Sequence, residues 1–348
     1  MTAGRRVLVT GLGTFWGGRV AQELEADPTI EVIVGLDREE PTVELQRTEY
    51  VRSDENYSIL SRIVKAVKVD TIVHTFLVMD SSEMRSRRIH EINVIGTMNL
   101  FAAASAAGST VRTVAVKSST HVYGAGPRDP NVFLEEHKRT TPARTAVEQT
   151  MLEVEGYVRD FAEDNPHVTV SLLRFSNVLG SEIRTPLTKA LSLPLVPSVF
   201  GFDPRFQFVH EDDVVRAIRF ALDERLPGVY NVAGDGLLPW SEVAAICGKR
   251  TFPLPPFGLS GITAAPLSRL GVELTPELLG LMKYGRGVDN RRLKDAGFRY
   301  QHTSAGAVEA FVESSRLRRL RGQGPAYHYE RDVEQFFRHS PAVARDER

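Results

Sequence analysis

Cysteine is almost missing: the 348-residue chain has one, Cys247, which excludes an internal disulfide framework and leads us to expect a reducing, cytoplasmic setting. No cluster of cysteine and histidine at ligand spacing accompanies it, so no metal site is expected. Excess charge of either sign is missing too. Lys and Arg total 43 against 44 for Asp and Glu, which excludes the broad basic field that draws proteins onto nucleic acid or acidic membranes. Long apolar runs are also lacking. The most apolar late stretch, residues 190–202, is shorter than a bilayer span and is cut by Pro194 and Pro197. The first strand signal begins at Arg6 with no charged-then-apolar leader before it, so neither export nor a membrane is expected.

What is present is an alternation. Short apolar runs at residues 7–10, 31–36, 71–74, 113–118 and 169–175 read as buried strands. Helix-length amphipathic stretches at 17–25, 56–67, 87–107 and about 143–163 separate them. That order predicts an α/β fold, a Rossmann-type doubly wound parallel sheet. After Asn177 prolines at 186, 194, 197, 204, 253, 255, 256, 266 and 276 break the periodicity, as expected of a smaller C-terminal substrate lobe. The division is a dinucleotide-binding domain over 1–176, with about 205–234 returning to it, a substrate-covering lobe over 177–321, and a loosely held tail over 322–348.

The segment from Val7 to Gly18 places Gly11, Gly13, Thr14, Phe15, Trp16 and Gly17 where a strand turns tightly into a helix. Backbone amides there can approach a pyrophosphate at the helix N-terminus. About twenty residues on, the second strand ends at Asp37, placed to accept hydrogen bonds from an adenine ribose and to repel a 2′-phosphate. NAD is therefore the expected cofactor. Arg38, directly after it, keeps NADP as the alternative.

From these residues onward the chain resembles the extended short-chain dehydrogenase/reductase family, the NAD-dependent epimerases and dehydratases, in particular an actinobacterial branch similar to UDP-glucose 4-epimerase. The resemblance runs through Thr10-Gly11 to Gly17, Asp37, Asp54, Val69 to His74, Asn93 to Leu100, Ser118 to Gly124, Leu173 to Gly180, Phe208 to Asp213 and Tyr230 to Gly234. It implies that Asp54 meets the adenine amino group and that Asn93 braces the sheet near the nicotinamide. A helix cap at Asp54 and a buried structural amide at Asn93 are the alternatives. His74 joins the cofactor set through the same resemblance. Ser119 matches the family's substrate-polarising Ser/Thr, and His121, two residues on, is a candidate acid or base. Asn177 matches a substrate-contacting asparagine. Arg205 lies one step from the position of a diphosphate-binding arginine, which here is Phe206. A small-molecule substrate and a homodimer through paired helices are the expected partners.

One element of the family pattern is absent. Its chemistry uses a Tyr-x-x-x-Lys pair, the lysine lowering the phenol's pKa. Aligned on Glu153, the two places hold Thr145 and Gln149. Other proton carriers near by in sequence are His121, Lys117, Lys138 and Glu148. Two functions remain open: an epimerase, dehydratase or reductase of a nucleotide sugar or small alcohol with atypical acid-base residues, or a catalytically degraded cofactor-binding sensor working through a partner.

Overall fold

The computed structural model describes residues 4–79, 84–256, 275–318 and 340–343. Strands β1 (Arg5–Thr10), β2 (Ile30–Asp37), β3 (Thr48–Arg52), β4 (Thr71–His74) and β5 (Thr113–Ser119) join Thr169–Phe175 and Gly228–Val232 in a seven-stranded sheet. All neighbours run parallel. In space the order is Gly228–Val232, Thr169–Phe175, β5, β4, β1, β2, β3, so the chain reverses its progression between β1 and β4. Ligand crevices of doubly wound sheets open at that reversal, beyond the strands' carboxyl ends.

Each face of the sheet is covered because its strands are apolar on both sides. Helices α1 (Phe15–Glu25) and Glu211–Asp223 bury Val20, Leu24, Val214 and Ile218 against Val7, Val9, Ala115 and Phe175. The other face packs α2 (Tyr57–Val67), the 86–104 helix and α5 (Ala146–Asp164) through Leu60, Ile63, Leu100, Met151 and Val154. The 86–104 helix is not uniform: α3 (Ser86–His90) and α4 (Thr97–Ala104) flank a π-helical turn, Glu91–Gly96. Such wide turns concentrate at functional sites, and this one carries Asn93.

A third cluster, Phe206, Phe208, Leu191, Trp240 and Leu281, is drawn wholly from residues after Asn177. Most of the tail expected over 322–348 lies outside the described residues. The part described, 340–343, packs back onto the sheet: Ala342 is buried and its carbonyl accepts a hydrogen bond from Arg6 Nη2 at 2.6 Å.

Candidate functional site

The glycine turn is built by close approach. Gly11 adopts φ +77°, and a Cβ there would stand 2.5 Å from the Phe76 nitrogen. At Gly17 a Cβ would come within 2.0 Å of the Gly11 carbonyl oxygen, so only glycine lets the first turn of α1 rest on the loop. Thr14 holds the same junction with its side chain. Its hydroxyl donates to the Gly11 carbonyl at 2.6 Å and accepts from the Gly17 amide at 3.1 Å, capping α1.

Asp37, at the end of β2, accepts from the Gly13 amide at 3.0 Å and from the Glu39 amide at 3.1 Å. Burial raises its pKa above the ordinary carboxylate value, against the lowering effect of these amides. Arg38 forms an exposed ion pair with Asp54. Both side chains stand beyond the paired carboxyl ends of β2 and β3.

A cavity of about 470 Å³ opens over the carboxyl ends of the central strands. Thr14, Phe15 and Trp16 form one wall, and Thr75 to Met79 a second. Asn93 fixes the second wall: its Oδ1 accepts from the Val78 amide at 2.7 Å and its Nδ2 donates to the Val78 carbonyl at 2.9 Å. His74 does not reach the cavity. Fully buried, it bridges the Thr10 hydroxyl (3.1 Å) and the Thr97 hydroxyl (2.9 Å), and burial followed by the charge of Lys117 pushes its pKa down to about 3.

The floor carries Lys117, Ser119 and His121. Side chains alternate along a strand, and Lys117 and Ser119 share the face that looks into the cavity, while Ser118 turns the other way and donates to Glu155 at 2.6 Å. Ser119 Oγ lies 2.6 Å from His121 Nδ1 and accepts from the His121 amide at 3.3 Å. Burial, then the cations Arg286, Arg139 and Lys117, pushes the His121 pKa down to about 3. The imidazole is neutral at physiological pH. With its proton on Nε2, Nδ1 accepts from the serine hydroxyl.

Neither Arg286 nor Arg139 stood out in the sequence, because each arrives from a distant segment. Arg286 is buried, donates to the Gly124 carbonyl at 3.1 Å, and leaves Nε without a hydrogen-bond partner. Arg139 contacts the His121 carbonyl at 3.3 Å and pairs with Glu148 at 2.8 Å. Glu148 is thereby engaged as an ion-pair partner.

The remaining side of the cavity is formed by Asn177, Val178, Glu182 to Leu187, and Leu278 and Leu281 from the helix Pro276–Tyr284. Asn177 also donates to the Gln207 carbonyl at 2.9 Å. Arg205 is exposed and does not line the cavity, and Phe206 is buried against Trp240 at a ring separation of 4.5 Å. On α5, Thr145 is the helix cap, accepting from the Glu148 amide at 3.3 Å, and Gln149 is exposed. The residues four apart that face the sheet are Val147 and Met151, both fully buried. Neither spacing brings a phenol or an ammonium to the cavity.

Among the described residues no group of three metal-ligating side chains occurs, and no helix is long and apolar enough to cross a membrane. Residues 7–233 match the sequence profile of the NAD dependent epimerase/dehydratase family. An uncharacterized protein of Mycobacterium tuberculosis is 33% identical over 320 residues, covering 90% of this chain and 84% of that one. UDP-glucose 4-epimerase 3 of rice (Oryza sativa subsp. japonica) is 28% identical over 124 residues, 35% of this chain and 32% of that protein. Among solved structures, MoeE5 in complex with UDP-glucose and NAD superposes with a TM-score of 0.69 at 23% identity, over 91% of this chain and 100% of that one. UDP-glucose 4-epimerase of Thermotoga maritima with UDP-glucose gives 0.68 at 16% identity, over 90% and 99%. At these identities the likeness is one of fold.

Proposed function

Since this chain belongs to the NAD-dependent epimerase/dehydratase family, we propose that it is an NAD-dependent epimerase, dehydratase or reductase of a nucleotide sugar or small alcohol, using the Ser119–His121 pair for proton transfer. The observation that carries this reading is the 2.6 Å contact between Ser119 Oγ and His121 Nδ1 on the cavity floor.

The residues present fit a dinucleotide. At Gly11, Gly13 and Gly17 the turn has no room for a side chain, and the amides that open α1 could there approach a pyrophosphate. Asp37 would hold the adenine ribose and Asn93 keeps the Val78 wall in place. NAD, when bound, supplies the hydride acceptor. Ser119 would accept the proton of a substrate hydroxyl while passing its own to His121 Nδ1, and the relay runs backwards when the carbonyl is reduced.

The surrounding cations limit the relay. An imidazolium there is disfavoured first by desolvation and then by Arg286, Arg139 and Lys117, so His121 is a weak base and turnover should be slow. That same crowding of cations favours the second reading, a cofactor-binding sensor without turnover. Pairing of two copies through α4 and α5 is supported by the exposed Met98, Leu152 and Tyr157 on those helices.

The deciding experiment measures NAD binding by fluorescence titration and turnover of UDP-glucose, UDP-glucuronic acid and simple secondary alcohols. Low but measurable wild-type turnover that falls by roughly 10²–10⁴ in both Ser119→Ala and His121→Ala, with NAD affinity kept, is the expected result. Robust turnover that survives His121→Ala overturns the mechanism. NAD binding with no turnover of any substrate favours the sensor.

A further inference from the structure

Lys117 is a charged residue in the middle of a strand whose other members are apolar or small. Its neighbours on the same face are Ala115, packed in the core beneath α1, and Ser119 at the strand's end. The side chain is 5% exposed and lines the cavity. Its ammonium lies 5.4 Å from the centre of the Trp16 ring, in the first turn of α1. The ammonium therefore stands beside the first turn of α1, on the side chain two residues before Ser119 along the same strand face. Its field reaches both His74 and His121.

Two positive potentials meet there: the ammonium and the N-terminal end of helix α1. Such a pair gains most from an anion or a polyhydroxylated group placed between them. The other cation on the described cavity wall, Arg184, is exposed and donates to the Ser181 and Ile183 carbonyls. Helix α5 offers none, since its inward pair is Val147 and Met151.

We propose that Lys117 is a cofactor-binding residue whose ammonium reaches the nicotinamide-side ribose and phosphate of the dinucleotide from strand β5, supplying the cation that helix α5 lacks. The proposal rests on the reading that NAD lies across the glycine turn. It gives the cation to the strand that also carries Ser119, so one element sets both the cofactor grip and the position of the reacting hydroxyl.

The test uses the full chain and three probes: NAD, ADP-ribose, which keeps the second ribose and both phosphates, and AMP, which keeps only the adenosine side. Lys117→Met is expected to weaken NAD and ADP-ribose by about tenfold or more and to leave AMP within about twofold, with Lys117→Arg recovering much of the loss. The dependence of log Kd on log salt should become shallower in the methionine variant. Lys117→Gln, which keeps length and polarity, repeats the measurement where methionine packs badly. Unchanged affinity for ADP-ribose in a folded variant overturns the proposal. So does equal weakening of AMP, which would mean that the whole pocket had shifted. Failure of the wild type to bind NAD is a separate result, seen before any variant is made, and it would sink the functional reading itself.

Discussion

Thr14 stands inside the glycine turn, and its hydroxyl does a job that glycine cannot do. It ties the Gly11 carbonyl to the Gly17 amide. Thr14→Ala should lower stability by about 1 kcal/mol, read as a drop in melting temperature. Asp37 both orders the turn and, on the proposed reading, meets the ribose. Asp37→Ala is expected to weaken NAD by roughly tenfold and NADP by less, in parallel fluorescence titrations. Arg38 is held by Asp54. Asp54→Ala should free it and shift preference toward NADP. His74, buried, and His121, half-buried on the cavity floor, predict a pH dependence. Their folded pKa values, each about 3, lie below the ordinary histidine value of 6.5, so between those limits the unfolded chain binds more protons. Stability should be flat above about pH 7 and fall as pH drops from 6.5 toward 3. A melting temperature unchanged between pH 7 and pH 5 would contradict that sign.

Among the elements, α5 shows how far a motif can be read without a structure. The missing Tyr-x-x-x-Lys pair was legible, because no alignment of this helix supplies both residues. Which side chains face inward was not, since Glu153 and Glu155 are equally good anchors on paper. Glu155 is the buried one, pairing with Arg174 and accepting from Ser118, whereas Glu153 is partly exposed beside His90. With Gln149 on the outer surface, the double change Thr145→Tyr with Gln149→Lys should restore no oxidoreductase activity in a turnover assay. Replacing Glu155 by Gln leaves the Arg174 charge buried without its partner. A loss of roughly 3–5 kcal/mol by denaturant unfolding is expected. The π-helical turn at Glu91–Gly96 was likewise hidden, because a periodic apolar pattern fits one continuous helix equally well.

At the scale of the molecule, the strands with continuous apolar runs and the β–α alternation were legible. The edge strands Thr48–Arg52 and Gly228–Val232 were not read as strands, the first being short and polar. The cations around His121 were hidden for a different reason: Arg139 and Arg286 reach it from 18 and 165 positions away in the chain, and no local pattern predicts such meetings. Arg6 holds a still longer connection. It stands in the first strand, and its guanidinium is completed by a carbonyl 336 positions downstream. On a ribosome adding roughly 5–20 residues per second, that partner is made on the order of twenty seconds to a minute after the strand itself. For that interval the Arg6 guanidinium, on a strand already paired on both sides by β2 and β4, has one donor that only water can meet, so this contact is among the last that synthesis lets the sheet complete.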